Sequence, residues 1–220
     1  MGRPSTPTQE NHTMKLQSLL LGAAAAALLA AGAIAAPENL MDPAKLNAKA
    51  PDVFKAKFET TQGSFVVEVH RDWSPNGADR FYNLVKNGYY DGNKFFRVVP
   101  GFVVQWGMHG DPTIGNKWLN SNISDDPVKQ SNKRGYLTYA MSTRPNSRSV
   151  QLFINLQDNS GLDAKGFAPF GNVVEGMEIV QKLYGGYGDG LSQQKISQEG
   201  NAFLEKNYPK LDGIKKATIQ

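Results

Sequence analysis

Arg97 is the residue whose type and setting most invite chemistry. It lies inside Phe95-Phe96-Arg97-Val98-Val99, part of the densest apolar stretch of the chain. A guanidinium keeps its charge at any ordinary pH and is costly to bury unpaired. Arg97 therefore either snorkels to water from an edge strand or is held for a purpose. On a strand of period two it would share a face with Phe95 and Val99. Pro100-Gly101 then throws the chain round, Phe102 follows, and Gln105 brings an amide after two apolar positions. Farther on, Gln151 and Phe153 stand two apart, on one face of a strand. If these faces meet, they form a groove with an aromatic floor and an arginine and two amides at its edge. That shape suits an extended peptide, held by hydrogen bonds to its backbone and by one apolar side chain.

Other chemistries find little support. The 220 residues contain no Cys, which removes thiolate zinc sites, iron–sulfur clusters, disulfides and cysteine nucleophiles together. His12, His70 and His109 are the three histidines, too few for a polyhistidine metal centre. Neither His70 nor His109 has a Ser and an Asp arranged for proton relay, although His109 adjoins the groove. Asp125, Asp126 and Asp189 lack the dense oxygen spacing of a calcium loop. Gly186-x-Gly188-x-Gly190 follows a helix rather than a strand, so it reads as helix termination and not as a phosphate cradle. No metal and no cofactor is expected. The net charge of +4 comes from 24 basic and 20 acidic residues, scattered, with no basic run longer than Lys215-Lys216. That is no footprint for nucleic acid.

The positioning elements follow from period and punctuation. Phe54 to Thr60 alternates apolar and polar, Thr61-Gln62-Gly63 turns, and Phe65 to Val69 returns, which predicts an N-terminal hairpin. Ser74-Pro75 reads as N-cap and first position of a helix carrying Ala78, Phe81, Leu84 and Val85, stopped at Gly88. Residues 95–107 give two short strands broken at Pro100-Gly101. Residues 108–134 are polar and predict little regular structure. Strands are expected at Tyr136–Met141, Val150–Ile154, Phe170–Val174 and Ala217–Ile219, and a second helix carries Met177, Val180, Leu183 and Tyr184. Segment 185–213 is an addition with a short helix expected around Ala202 to Tyr208. Many short strands with two helices point to a closed or nearly closed antiparallel barrel with covered ends.

Residues 1–36 read as a secretory leader. Lys15 precedes an apolar run through Leu19-Leu20-Leu21 to Ala36, ending in the small-x-small site Ala33-Ile34-Ala35, with cleavage expected near Ala35. Met14-Lys15 offers an alternative start to Met1. The competing reading is an uncleaved membrane anchor, since the run approaches the ~18–20 residues that span a bilayer. Cleavage would leave an exported product, periplasmic or secreted. Residues 37–52 read as a linker, and one domain of 53–220 follows.

Phe95-Phe96-Arg97-Val98-Val99-Pro100-Gly101-Phe102-Val103-Val104-Gln105-Trp106-Gly107 resembles the signature of cyclophilins, the cyclosporin-binding peptidyl-prolyl cis–trans isomerases. Leu137 to Met141, Pro145-Asn146-Ser147 with Gln151-Leu152-Phe153-Ile154, and Leu162-Asp163 with Phe170 to Met177 resemble further blocks of that family, in order. The resemblance covers roughly residues 53–184. It implies a mainly β fold, a closed eight-stranded antiparallel β-barrel capped by two α-helices, with the site on the outer face. It implies Arg97, Gln105 and Phe102 as the catalytic set. Val103, Ala140, Gln151, Phe153, Leu162 and Phe167 would bind substrate. The partners it implies are Pro-containing segments of client proteins, met by a monomer, and cyclosporin as a further ligand. Gly161 stands where many members carry Trp, Phe167 takes the place of a wall His, and the loop from Met141 to Ser149 is one residue longer. These departures bear on cyclosporin and on substrate preference.

Overall fold

Alternation in the first two strands becomes an inward and an outward face. In the computed structural model, which describes residues 1–2 and 38–220, β1 (Val53–Thr60) pairs with β2 (Gly63–His70) from Val53 opposite His70 to Thr60 opposite Gly63. Phe54, Ala56 and Phe58 point into the core while Lys55 and Lys57 stay outside it. The leader expected over 1–36 lies, but for its first two residues, outside the described residues. Among the described residues no helix is long and apolar enough to cross a membrane.

The remaining strands are β3 (Arg97–Val99), β4 (Val103–Trp106), β5 (Tyr136–Tyr139), β6 (Leu152–Asn155), β7 (Pro169–Glu175) and β8 (Ile214–Ile219). Together the eight make one antiparallel sheet in the order β3-β4-β6-β5-β7-β2-β1-β8. The sheet is curled but open, which corrects the expectation of a closed barrel. Its end strands β3 and β8 share no ladder. β3 is only three residues long, and the backbone that faces β8 is the irregular stretch before it. There Gly92 N donates to Ile214 O (2.9 Å), Ile214 N to Asn93 O (2.8 Å) and Phe95 N to Asp212 O (3.0 Å), beside one isolated bridge between Lys94 and Gly213. Loop hydrogen bonds take the place of the missing ladder.

Four α-helices accompany the sheet where two capping helices and one short helix around Ala202 to Tyr208 were expected: α1 (Pro75–Lys86), α2 (Pro112–Leu119), α3 (Met177–Lys182) and α4 (Gln193–Asn207). α2 hides in polar sequence, yet Ile114 and Trp118 are four apart and both buried, and Trp118 Nε1 donates to Leu40 O at 2.8 Å. That contact pins the short 3₁₀ turns at Glu38–Met41 and Pro43–Lys45 to the body. α4 begins well before Ala202 and breaks at Gly200, whose φ is +60°. A Cβ at Gly200 would lie 2.0 Å from Gly110 O, the carbonyl that Asn201 N reaches at 2.9 Å, so only glycine permits this contact.

The α1 N-terminus is capped from a distance. Ser74 occupies the N-cap position but its hydroxyl bonds no helix amide. Asp126 instead accepts from Asn76 N (3.1 Å), Gly77 N (3.0 Å) and Ser74 Oγ (2.6 Å), and pairs with Arg148 Nη2 at 3.1 Å. A carboxylate suits a helix N-terminus, and Arg148, 1% exposed, needs the partner. The main core fills the sheet's concave side with Phe58, Phe65, Phe81, Trp106 and Phe170. A second cluster, Phe96, Met108, Leu191, Ile196, Leu204 and Leu211, fastens α4 to the sheet edge.

Candidate active groove on the outer face

The outer residues of three adjacent strands line up across the sheet. Arg97 of β3 lies opposite Gln105 of β4, and Gln105 lies opposite Phe153 of β6. Their strand neighbours Val98, Val104, Trp106, Leu152 and Ile154 turn inward and are core. Period two therefore gives one face to packing and the other to a site. The alternation slips before β3. Phe95 does not share a face with Arg97, as expected from its sequence, but lies in the core with its ring 5.6 Å from Trp106. Residues 95–96 lie outside any strand ladder, so the period starts only at Arg97.

Arg97 is held on two sides. Its Nη1 donates to Gln105 Oε1 at 3.1 Å, and its guanidinium carbon lies 5.6 Å from the Phe102 ring centroid. The turn that brings Phe102 there needs Gly101 at φ +72°, and Phe102 N closes it on Val99 O at 2.9 Å. Asp189 Oδ2 approaches Arg97 Nη2 at 3.9 Å from a position 70% exposed. Beside the guanidinium opens a cavity of about 230 Å³ whose apolar walls include Phe102, Val103, Phe153, Leu162 and Phe167. Phe153 and Phe167 meet edge to face at 5.7 Å. Of the nine residues singled out from the sequence, Arg97, Phe102, Val103, Gln105, Ala140, Phe153, Leu162 and Phe167 all line this cavity. Gln151 stands one step aside. It accepts from Gln105 Nε2 at 2.8 Å and lines a neighbouring cavity of about 340 Å³ that shares Gln105 and Ala140.

Sequence reasoning missed Met141 and Gln193, which border both cavities. Met141 merely follows a strand, and Gln193 belongs to a helix with no visible tie to the groove. It also missed the polar belt beneath the apolar walls. Asn159 Nδ2 donates to Phe102 O (3.0 Å) and to Asn155 Oδ1 (2.8 Å), while Asn132 Nδ2 donates to Phe167 O (2.9 Å) and Asp163 Oδ1 (2.8 Å). These amides fix the backbone behind the two aromatic walls. Burial works against the charge on Asp163, but donors from Ser131, the Asn132 side chain and Asn132 N outweigh it and hold this carboxyl below its usual range. His109 lines neither cavity. Its Nδ1 accepts from Asp111 N at 3.0 Å, its ring packs 5.1 Å from Tyr89, and burial pushes its pKa down. The glycines at 185–190 do more than end a helix: Val98 N donates to Gly188 O at 3.3 Å, so this loop covers the β3 edge.

Chemically, the groove offers a fixed cation at the mouth of an apolar slot, with amides along one side. No group in it is set up as a nucleophile. The family model for cyclophilin-type peptidyl-prolyl cis-trans isomerases matches residues 55–200. A peptidyl-prolyl cis-trans isomerase of Acinetobacter baylyi is 33% identical over 132 residues, covering 58% of this chain and 70% of that protein. Peptidyl-prolyl cis-trans isomerase B of Escherichia coli is 31% identical over 136 residues, covering 58% of this chain and 82% of that protein. Among solved structures, a cyclophilin-type isomerase of Cryptosporidium parvum, crystallised in the presence of the dipeptide Ala-Pro, superposes with a TM-score of 0.55 at 22% identity, covering 76% of this chain and 98% of that one.

Proposed function

The chain belongs to the cyclophilin-type peptidyl-prolyl cis-trans isomerases, and we propose that it performs this isomerisation in the groove around Arg97, on Xaa–Pro bonds of client proteins. The barrier to be lowered is ~18–20 kcal/mol for a peptide bond, because nitrogen lends its lone pair to the carbonyl. At Xaa–Pro the two isomers lie close in energy but exchange over tens to hundreds of seconds. When the bond twists, the lone pair returns to nitrogen, which becomes a better hydrogen-bond acceptor. A guanidinium held beside it bonds the twisted state more strongly than the planar one, and only such a difference accelerates the step. The apolar slot takes the proline ring and keeps it still while the preceding carbonyl swings. Gln105 orients Arg97. Ala140 leaves room for the peptide backbone, and Gln151 continues the polar side of the groove. The reaction on this path has no covalent intermediate and transfers no proton.

The observation that carries the reading is Arg97 held 3.1 Å from Gln105 Oε1 and 5.6 Å from the Phe102 ring, at the mouth of a cavity walled by Phe153 and Phe167. The test follows exchange of a proline-containing peptide by NMR. Arg97→Ala is expected to lower kcat/KM about 10²–10³-fold, the usual effect of removing one preorganised donor, with an unchanged fold by circular dichroism. An unimpaired variant would remove Arg97 from the chemistry. Wild-type protein at the uncatalysed rate would leave a module that only binds Pro-containing segments. The leader read over residues 1–36 supports clients among exported proteins, met in a periplasm or outside the cell by a monomer. Intact-mass analysis of the exported product tests cleavage near Ala35.

A further inference from the structure

The added segment 185–213 reaches the groove through one side chain. Gln193 opens α4, where Ser192 Oγ caps Lys195 N, and Leu191 and Ile196 anchor the helix start in the second apolar cluster. Its Oε1 accepts from Gln151 Nε2 at 3.2 Å. This completes a relay of four side chains: Arg97 Nη1 to Gln105 Oε1, Gln105 Nε2 to Gln151 Oε1, Gln151 Nε2 to Gln193 Oε1.

The relay has a fixed polarity. A guanidinium only donates, so Gln105 must turn its oxygen toward Arg97 and its NH₂ toward Gln151. Gln151 must then receive with oxygen and pass on its NH₂, and Gln193 must receive with oxygen in turn. The Gln193 Nε2 is left over, with no protein partner among the described residues. Bonds in such a chain polarise one another, which strengthens the last donor. This side chain borders both the apolar slot and the neighbouring cavity of about 340 Å³. That second cavity is lined by amides, Ser hydroxyls, Leu119, Ala140 and Met141, with no charged group. An uncharged, donor-tipped wall suits a main-chain carbonyl of an extended peptide and desolvates a charged side chain without compensation.

We propose that Gln193, supplied by the added segment, is a specificity-determining residue: its Nε2 donates to a main-chain carbonyl of the client peptide beyond the blocked Xaa–Pro unit, and so rewards longer substrates over an isolated Xaa–Pro unit. This rests on the isomerase reading of the groove. The position is exposed, so substitutions there leave packing alone. Gln193→Glu keeps an acceptor for Gln151 but replaces the donor by a charged oxygen, while Gln193→Ala removes donor and acceptor without adding charge. The experiment measures, by NMR exchange with the full chain, kcat/KM for a blocked Ala-Pro dipeptide and for a peptide with three uncharged residues on each side of the proline. In both variants the ratio of the longer peptide's kcat/KM to the dipeptide's is expected to fall about three- to tenfold, the value of one neutral hydrogen bond. An unchanged ratio in either variant overturns the proposal, including the case where both substrates slow together through a disturbed relay. Wild-type protein that accelerates neither substrate overturns the isomerase reading and this proposal with it, and is told apart because no variant is needed to see it.

Discussion

Arg97 remains available to a substrate because its anchors use little of it. Gln105 takes one N–H and the Phe102 face takes one side, while a guanidinium carries five donors. Asp189 adds an attraction across 3.9 Å, but its carboxylate is 70% exposed and water screens it. Gly161 precedes Leu162, which lines the slot, and a Cβ at Gly161 would meet nothing within 4 Å. Phe167 supplies a wall from the other direction, edge-on to Phe153. Gly161→Trp is therefore expected to add an aromatic surface to the rim without strain. Burying a large apolar side chain is worth about 1.5–3 kcal/mol; for cyclosporin, a ligand that only the family resemblance implies, this bounds the expected gain in affinity at roughly ten- to hundredfold. Isothermal titration of both proteins checks this, and equal affinities would mean that Phe167 already closes the rim. Of the residues that touch the slot, Arg97 and Gln105 were legible as odd types in their strands, a cation among Phe and Val and an amide between Val104 and Trp106, whereas Val103, Ala140, Leu162 and Phe167 came only from the family resemblance. Gln193 was not legible, since one more polar residue in Ser192-Gln193-Gln194-Lys195 signals nothing until the fold sets it beside Gln151.

At the scale of elements, the groove depends on loops as much as on strands. Asn155 at the end of β6 and Asn159 four residues on meet Asn132 from a distant loop, and the three act only once paired. Ser131 Oγ, Asn132 N and Asn132 Nδ2 all donate to the Asp163 carboxylate, which ties the loop before β5 to the 3₁₀ turn Ser160–Lys165 carrying Leu162. Because the folded state holds Asp163 below the unfolded value of about 3.9, the unfolded state binds the proton more readily. The stabilisation is thus full above that pH and lost as pH falls through the lowered folded value. Asp79, whose burial is outweighed by Arg71 and Ala50 N, acts in the same sense. The difference in urea midpoint between wild type and Asp163→Asn is expected to be constant above about pH 5 and to shrink below about pH 4. A difference that grows on acidification would contradict this. The same division explains which elements could be read from the chain. β1, β2, β4 and β6 follow period two and Gly-containing turns, and α1 follows Pro75 with Phe81 and Leu84. α2 and the first half of α4 escape because their buried faces are sparse. α2 has Ile114 and Trp118 amid Asn and Lys, and α4 has Ile196 and Leu204 split by the break at Gly200.

For the molecule as a whole, the consequence of an open sheet is that Arg97 rides on an end strand. β3 has a ladder to β4 on one side and, on the other, only Gly188 and the loop seam to β8. Asp212, 6% exposed, is the knot of that seam. Its main-chain oxygen accepts from Phe95 N at 3.0 Å. Its carboxylate accepts from Thr61 Oγ1 (2.5 Å), Gln62 Nε2 (2.9 Å) and Tyr184 N (2.7 Å). One residue thus joins three places: its side chain holds the β1–β2 turn and the end of α3, and its main chain holds the approach to β3. Removing the carboxylate takes the acceptor from Tyr184 N at a half-buried point and turns the exposed Thr61 and Gln62 donors to water, and lost bonds to a charged group cost more than neutral ones. Asp212→Ala is expected to lose about 3 kcal/mol of stability, read as a lower urea midpoint at unchanged slope. The amides of Phe95 and Ile214, which cross the seam, should exchange with solvent faster than those of the β1–β2 hairpin. If the seam positions Arg97, kcat/KM falls along with seam protection even in the folded variant. Unchanged exchange at both amides would show that the ladders hold the curl by themselves and that Asp212 is incidental to it.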